Sequence, residues 1–144
     1  MPLNLAFTGI NVADEIMAAN PAIERWYVGG HSLGGTMAAE YAVANVNKID
    51  GLFFWASYTA EGTDLSDIPD LKVLSIYGTE DSGVEAMRSF RERSPADTVW
   101  VEMEGGNHAQ FGWYGLQPGD GIATISREEE QAWILRETLA FIEK

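Results

Sequence analysis

Residues 30–34, Gly-His-Ser-Leu-Gly, set one serine between two glycines, just after an apolar run and just before an alanine-rich segment. A serine hydroxyl is a weak nucleophile at neutral pH. It needs a base within hydrogen-bond reach and a further group to orient that base. The spacing G-x-S-x-G fits a sharp strand-to-helix turn that presents the hydroxyl to solvent. Gly30 and Gly34 lack side chains, so the chain can turn tightly and the helix can pack close to the strands. Ser32 is therefore the candidate nucleophile, with a plain turn as the alternative. Only two histidines are present. His31 adjoins Ser32, where neighbouring side chains diverge, so it is a poor base and is read as an elbow residue lining a substrate pocket. His108, in EGGNHAQF, stands where a base is needed, after the last predicted strand. Asp81, in YGTEDSG, follows the strand before it and can reach a histidine on the neighbouring loop. Glu80 is the other carboxylate of that loop, and Asp64 or Asp67 on an earlier loop are alternatives. Asp81 is preferred because the shorter carboxylate is the commoner partner of such a histidine.

Elements must bring these residues together. Ile10 to Asn20 reads as a helix, with Asn11 as its cap and Asp14 three residues on. Strands are expected over Arg25–Gly29, Gly51–Ser57, Leu71–Tyr77 and Asp97–Glu102. Helices are expected over Leu33–Asn45, Gly83–Glu92 and Ser126–Glu143. Ser126 and Glu129 form a capping box for the last of these, and Leu135, Leu139 and Ile142 fall on one face. Residues 59–70 and 109–125 are loops by composition. The strands are continuously apolar rather than alternating. That pattern, with helices between strands, predicts a parallel sheet of about four strands covered by helices on both faces. Ligand chemistry in such folds sits at the carboxyl ends of the strands. Ser32, Ser57, Asp81 and His108 all lie there.

The bulk properties narrow the function further. The chain has 144 residues and is read as one domain, residues 1–144. Nine basic against 22 acidic residues give a formal charge of −13, which opposes binding to nucleic acid or an anionic membrane. No apolar run is long enough to span a bilayer, no signal peptide is visible and there is no cysteine. A cytoplasmic location is expected. No His/Asp/Glu cluster has metal-ligand spacing, so no metal is expected. No phosphate-cradling or dinucleotide loop is present, so no cofactor is expected. Trp26, Trp55, Trp100 and Trp133 read as core or interface. Trp113 and Tyr114, in the loop after His108, are candidates for lining an acyl pocket.

The chain order Ser32, Asp81, His108 is that of the α/β-hydrolases. YVGGHSLGG, LSIYGTEDSG, EGGNHAQFG and GDGIATISREE together resemble a bacterial α/β-hydrolase subfamily related to the dienelactone-hydrolase-like proteins. The resemblance runs over the whole chain. It implies Ser32 as nucleophile, His108 as base and Asp81 as its orienter, acting on a small-molecule acyl substrate. Dienelactone hydrolases carry cysteine at the elbow and this chain has serine, so their substrate does not carry over. Met1 to Leu5 resembles the stretch after the family's fourth strand, which implies a truncated form of the fold. Two consequences are expected. The strand near Arg25–Val28 becomes an edge, which predicts a homodimer or higher oligomer that covers it. The oxyanion hole keeps the Leu33 N–H, while the family's second donor has no counterpart. The leading function is a serine hydrolase of carboxylic esters. The alternative is a truncated, oligomerising hydrolase-fold module with little or no activity.

Overall fold

The structure, a computed structural model, describes residues 9, 12–113 and 115–144. Asn11, Tyr114 and the stretch Met1–Leu5 lie outside the described residues, and so do the expectations that fall on them. In chain order the elements are α1 (Val12–Ala19), β1 (Tyr27–His31), α2 (Leu33–Ala44), β2 (Gly51–Trp55), β3 (Lys72–Gly78), α3 (Val84–Ser89), β4 (Val99–Met103) and α4 (Arg127–Ile142). Short 3-10 turns occupy Val46–Lys48, Phe90–Arg93 and Ala109–Phe111. The four strands form one parallel sheet in the order β1-β2-β3-β4. The expected α/β class and strand count hold.

The apolar strands are explained by cover on both faces. Leu52, Phe54 and Val73 face Ala39 and Ala42 of α2 and Phe90 after α3. Leu74, Ile76 and Met103 face Phe111 and, on α4, Ile134 and Phe141, with Phe53 and Trp55 packed against that same side. Each such fully buried side chain contributes about 1.5–3 kcal/mol relative to exposure. Since both sides of β2 and β3 are buried, neither strand shows the alternation of a half-exposed one.

Two boundaries differ in ways that matter to the site. β1 runs to His31 rather than ending at Gly29, so the serine follows the strand with no intervening loop. The segment expected to be one helix over Gly83–Glu92 tightens after Ser89 into a 3-10 turn.

The capping box of α4 is present. Ser126 Oγ accepts from the Glu129 N–H, and the Ser126 N–H donates to the Glu129 carboxylate. Of the expected apolar face, Ile142 packs against the core and the other two residues do not. Leu135 and Leu139 are exposed, and the helix instead buries Glu130, Ile134 and Phe141. The reason is that two polar residues belong to the inner side. Glu130 holds the chain around His108, and Thr138 Oγ1 accepts from the Trp55 indole N–H at 3.1 Å. Apolar spacing alone picks the wrong stripe when polar residues have partners inside.

Candidate active site

Ser32 sits between β1 and α2 with φ 54° and ψ −128°. A non-glycine residue at this φ is strained, at a cost of order 1–3 kcal/mol, and is retained only where the surroundings enforce it. The enforcing contacts are specific. The Ser32 N–H donates to the Trp55 carbonyl at 3.0 Å, tying the elbow to the end of β2. The Ser32 carbonyl accepts from the Gly35 N–H at 3.0 Å and from Ser57 Oγ at 2.6 Å. Thr36 Oγ1 donates to the Tyr58 carbonyl at 2.8 Å. The turn after β2 is thus stitched to the first turn of α2.

Steric need at the elbow falls on different glycines than the pentapeptide indicates. A Cβ on Gly30 would lie 2.8 Å from the Gly34 backbone, as expected. A Cβ on Gly34 would meet nothing within 4 Å, whereas one on Gly35 would lie 2.6 Å from both the Gly30 carbonyl oxygen and Ser57 Oγ. Gly35, just beyond the motif, is what lets α2 approach the strands.

Asp81 and His108 come from the turns after β3 and β4. The His108 Nδ1 lies 2.8 Å from Asp81 Oδ2, and Asp81 Oδ1 accepts from the Gly83 N–H at 2.6 Å. The Asp81 side chain is almost fully buried and that of His108 mostly so. With Asp81 ionised, Nδ1 carries the proton and donates it to the carboxylate. Nε2 is left as the acceptor of the neutral ring. The hydrogen bond to Asp81 raises the His108 pKa above its ordinary 6.5; burial opposes this, and the charges of Asp81 and Asp120 add to it. The other carboxylates considered do not reach the imidazole. Among the described residues, Asp64 accepts from the Ser66 N–H in its own loop, and Glu80 accepts from the adjacent Thr79 hydroxyl.

Ser32, Leu33, Asp81 and His108 line one cavity of about 410 Å³, together with Thr36, Ser57, Tyr58, Glu61 and Met87. No hydrogen bond joins the Ser32 hydroxyl to the His108 ring in this arrangement. Such bonds in unliganded sites are often long and tighten when substrate binds. Leu33 is the first residue of α2, and first-turn N–H groups have no partner within their helix.

His31 and Trp113 are not among the described residues lining this cavity. His31 instead packs against His108, its ring centroid 4.5 Å from that of His108 and stacked on Phe111 at 5.7 Å. It hydrogen-bonds the His108 backbone, and burial drives its pKa down to about 4, so it packs as a neutral ring. Trp113 is exposed, with the Arg127 guanidinium 5.1 Å from its ring.

Sequence reasoning missed two carboxylates. Asp120 accepts from the main chain of the turns that carry Asp81 and His108, and the fully buried Glu130 accepts from the Asn107 N–H at 3.1 Å and the Gln110 side chain at 2.9 Å. Burial pushes the Glu130 carboxyl pKa up. The only signal for Asp120 is its place in the GDGIATISREE stretch.

The sequence profile of the alpha/beta hydrolase family matches residues 1–132. No protein of curated function matches the sequence. Among solved structures, the chain is similar to a predicted CIB-like hydrolase from Thermoplasma acidophilum, at 18% identity and a TM-score of 0.66. That match covers 96% of this chain and 60% of the other, so the chain spans about three fifths of that protein's length. It is also similar to the monoacylglycerol lipase of Paleococcus ferrophilus, at 18% identity and a TM-score of 0.63, covering 94% of this chain and 76% of the lipase. The parallel sheet, the serine turn after β1 and the profile match together place the chain in the alpha/beta hydrolase family.

Proposed function

We propose that the protein is a serine hydrolase of carboxylic esters or related acyl compounds, with Ser32 as nucleophile, His108 as base and Asp81 as the carboxylate that orients it. One observation carries the reading: a strained serine and a buried Asp–His pair 2.8 Å apart open into the same cavity. The Ser32 hydroxyl attacks the acyl carbonyl while His108 Nε2 takes its proton. The tetrahedral oxyanion is met by the Leu33 N–H. The imidazolium returns the proton to the departing alcohol, leaving an acyl-serine. Water, deprotonated by the same nitrogen, then releases the acid. Asp81 holds the ring in the required tautomer and stabilises its charged form. The ester-cleaving activity named for the Paleococcus neighbour is of the same chemical class.

A fluorophosphonate probe should label Ser32 stoichiometrically, and Ser32→Ala should abolish both labelling and p-nitrophenyl acetate turnover. Turnover undiminished in the alanine variant rejects the assignment. The rate should rise with pH as His108 loses its proton, with the midpoint above 6.5 because its pKa is raised.

A second reading draws on the position of β1 at the edge of the described sheet and the unformed Ser32–His108 bond. In it the chain is an oligomerising module that assembles across β1 and turns over little substrate. A folded oligomer that the probe leaves unlabelled supports this reading over the first.

A further inference from the structure

The loop between the base and α4 does more than connect them. Asp120 Oδ1 accepts from the His108 N–H at 3.2 Å and from the Ser82 N–H at 3.4 Å, while Oδ2 accepts from the Ala109 N–H at 2.9 Å. The next residue continues the bridge. Gly121 donates its N–H to the Glu80 carbonyl at 3.0 Å, and its own carbonyl accepts from the Asn107 side chain at 2.7 Å. Residues 120 and 121 therefore sit between the turn that carries the acid and the turn that carries the base. Asp120 itself is anchored, its N–H bonded to the Gln117 carbonyl at 3.2 Å.

We propose that Asp120 is a positioning residue of this site: it clips the His108 turn to the Asp81 turn through three main-chain N–H groups, fixing the base by its backbone while Asp81 fixes it by its ring. The proposal rests on the triad reading above. A carboxylate suits the task because its two oxygens together accept all three bonds, which neither an amide nor a hydroxyl can do in the same place. Such bonds from N–H to a charged acceptor are about twice as strong as neutral ones. The clip is one of several ties. The Thr79 hydroxyl accepts from the Gly105 N–H, and the Glu80 N–H donates to the Gly106 carbonyl. Loss of Asp120 should therefore loosen His108 without dissolving the two turns.

Asp120 also contributes charge. Titratable groups reach His108 from several elements. Asp81 binds its ring from the β3 turn, and His31 packs against the ring from the end of β1. Asp120 accepts from its main-chain N–H, and Glu130 on α4 accepts from the adjacent Asn107 N–H. Asp81 and Asp120 favour the charged imidazole. Removing the second charge should lower the midpoint at which His108 titrates, an effect that a purely mechanical clip would not have.

The test uses the full chain with Asp120→Asn. The isosteric amide keeps one acceptor and loses the charge. The His108 Cε1–H resonance, assigned with His108→Gln, should titrate at lower pH than in the wild type. With p-nitrophenyl acetate, kcat should fall roughly 10- to 100-fold with KM within about twofold, the size of effect seen when the hydrogen-bond partner of a metal-ligating histidine is lost. A His108 midpoint and kcat both unchanged overturn the proposal. If the wild type itself neither turns over ester nor takes the probe, the triad reading fails. The resonance shift then decides the role of Asp120 alone, present in support or absent against. Should the variant fail to fold, the wild type still discriminates. In native-state hydrogen exchange the amide protons of Ser82, His108 and Ala109, all donated to Asp120, should be protected together. Exchange of these three at the rate of an exposed loop overturns it.

Discussion

Ser32 occupies a backbone conformation that costs stability, and its neighbours determine whether the cost is borne. Gly35 is the sharpest case. Its Cβ would press on the Gly30 carbonyl and on Ser57 Oγ, the two groups against which the elbow rests. Gly35→Ala should lower stability by about 1–3 kcal/mol, the usual cost of overpacking, and should reduce labelling of Ser32 as α2 is pushed outward. Gly34→Ala enters open space within a helix and should be neutral or stabilising by up to about 1 kcal/mol. Calorimetry on the two variants separates the steric argument from the motif, which treats Gly34 as the required residue. Equal melting temperatures for the two would refute it. The histidines differ in sign. His31 is held near pKa 4, so the unfolded chain takes a proton that the native state refuses, and stability falls as pH drops from about 6.5 towards 4. The raised pKa of His108 gives a contribution that is complete below 6.5 and is lost as pH climbs through its folded value. His31→Gln should therefore flatten the melting temperature between pH 6.5 and 5, and parallel curves for variant and wild type would contradict this.

At the scale of elements, α4 shows what a sequence exposes and what it hides. Its start was legible because a capping box is a local pattern, Ser126 and Glu129 reaching each other's backbone within one turn. Its buried face was not, because Glu130 reads as a solvated charge until the His108 turn is folded onto it. The strands were legible from their apolar runs. Ser32, Asp81 and His108 were legible because each follows a strand in a parallel sheet, where side chains distant in sequence converge. Asp120 and Glu130 escaped notice because their partners are chiefly backbone N–H groups, which every residue carries. Glu130 gives a prediction for its helix. Its raised pKa means that wild-type stability is present below the ordinary value of 4.5 and declines as pH rises through the folded value. Glu130→Gln keeps one oxygen for the Asn107 N–H and cannot ionise. The variant should gain melting temperature relative to the wild type as pH is raised above 4.5. Glu130→Ala, which strands that buried N–H, should instead lose about 2–4 kcal/mol at every pH. A Gln variant whose difference from the wild type is independent of pH would show that burial does not raise the carboxyl's pKa.

For the whole molecule the decisive feature is the outer side of β1. The Trp26 N–H and carbonyl both bond to Asp50, and the Ser32 N–H bonds to Trp55, so the even positions of this strand face β2. Alternation then turns the N–H and C=O groups of Tyr27 and Gly29 outward, where no described strand pairs with them. Beside this edge lies an apolar groove of about 530 Å³ between α1, β1 and α2, lined by Val12, Ile16, Trp26, Val28 and Met37. α1 buries none of its own residues, and Ile16 and Ile23 are each about half exposed. A strand edge that no described strand covers, next to exposed apolar side chains, is a surface for association, and a second copy of the chain offers both the matching backbone groups and the matching groove. Light scattering after size exclusion should give twice the 15.8 kDa chain mass. The formal charge of −13 makes the two copies repel, so the dimer should tighten as salt screens the charge. Ile16→Lys, placed on an exposed helix that contributes nothing to the core, should return the protein to monomer with its circular dichroism unchanged. The elbow begins where β1 ends, so a copy seated on this edge lies against the residues leading into Ser32. Monomerisation should therefore reduce labelling of Ser32. A wild type that stays monomeric at high concentration and high salt would leave the edge exposed in solution, contrary to this account.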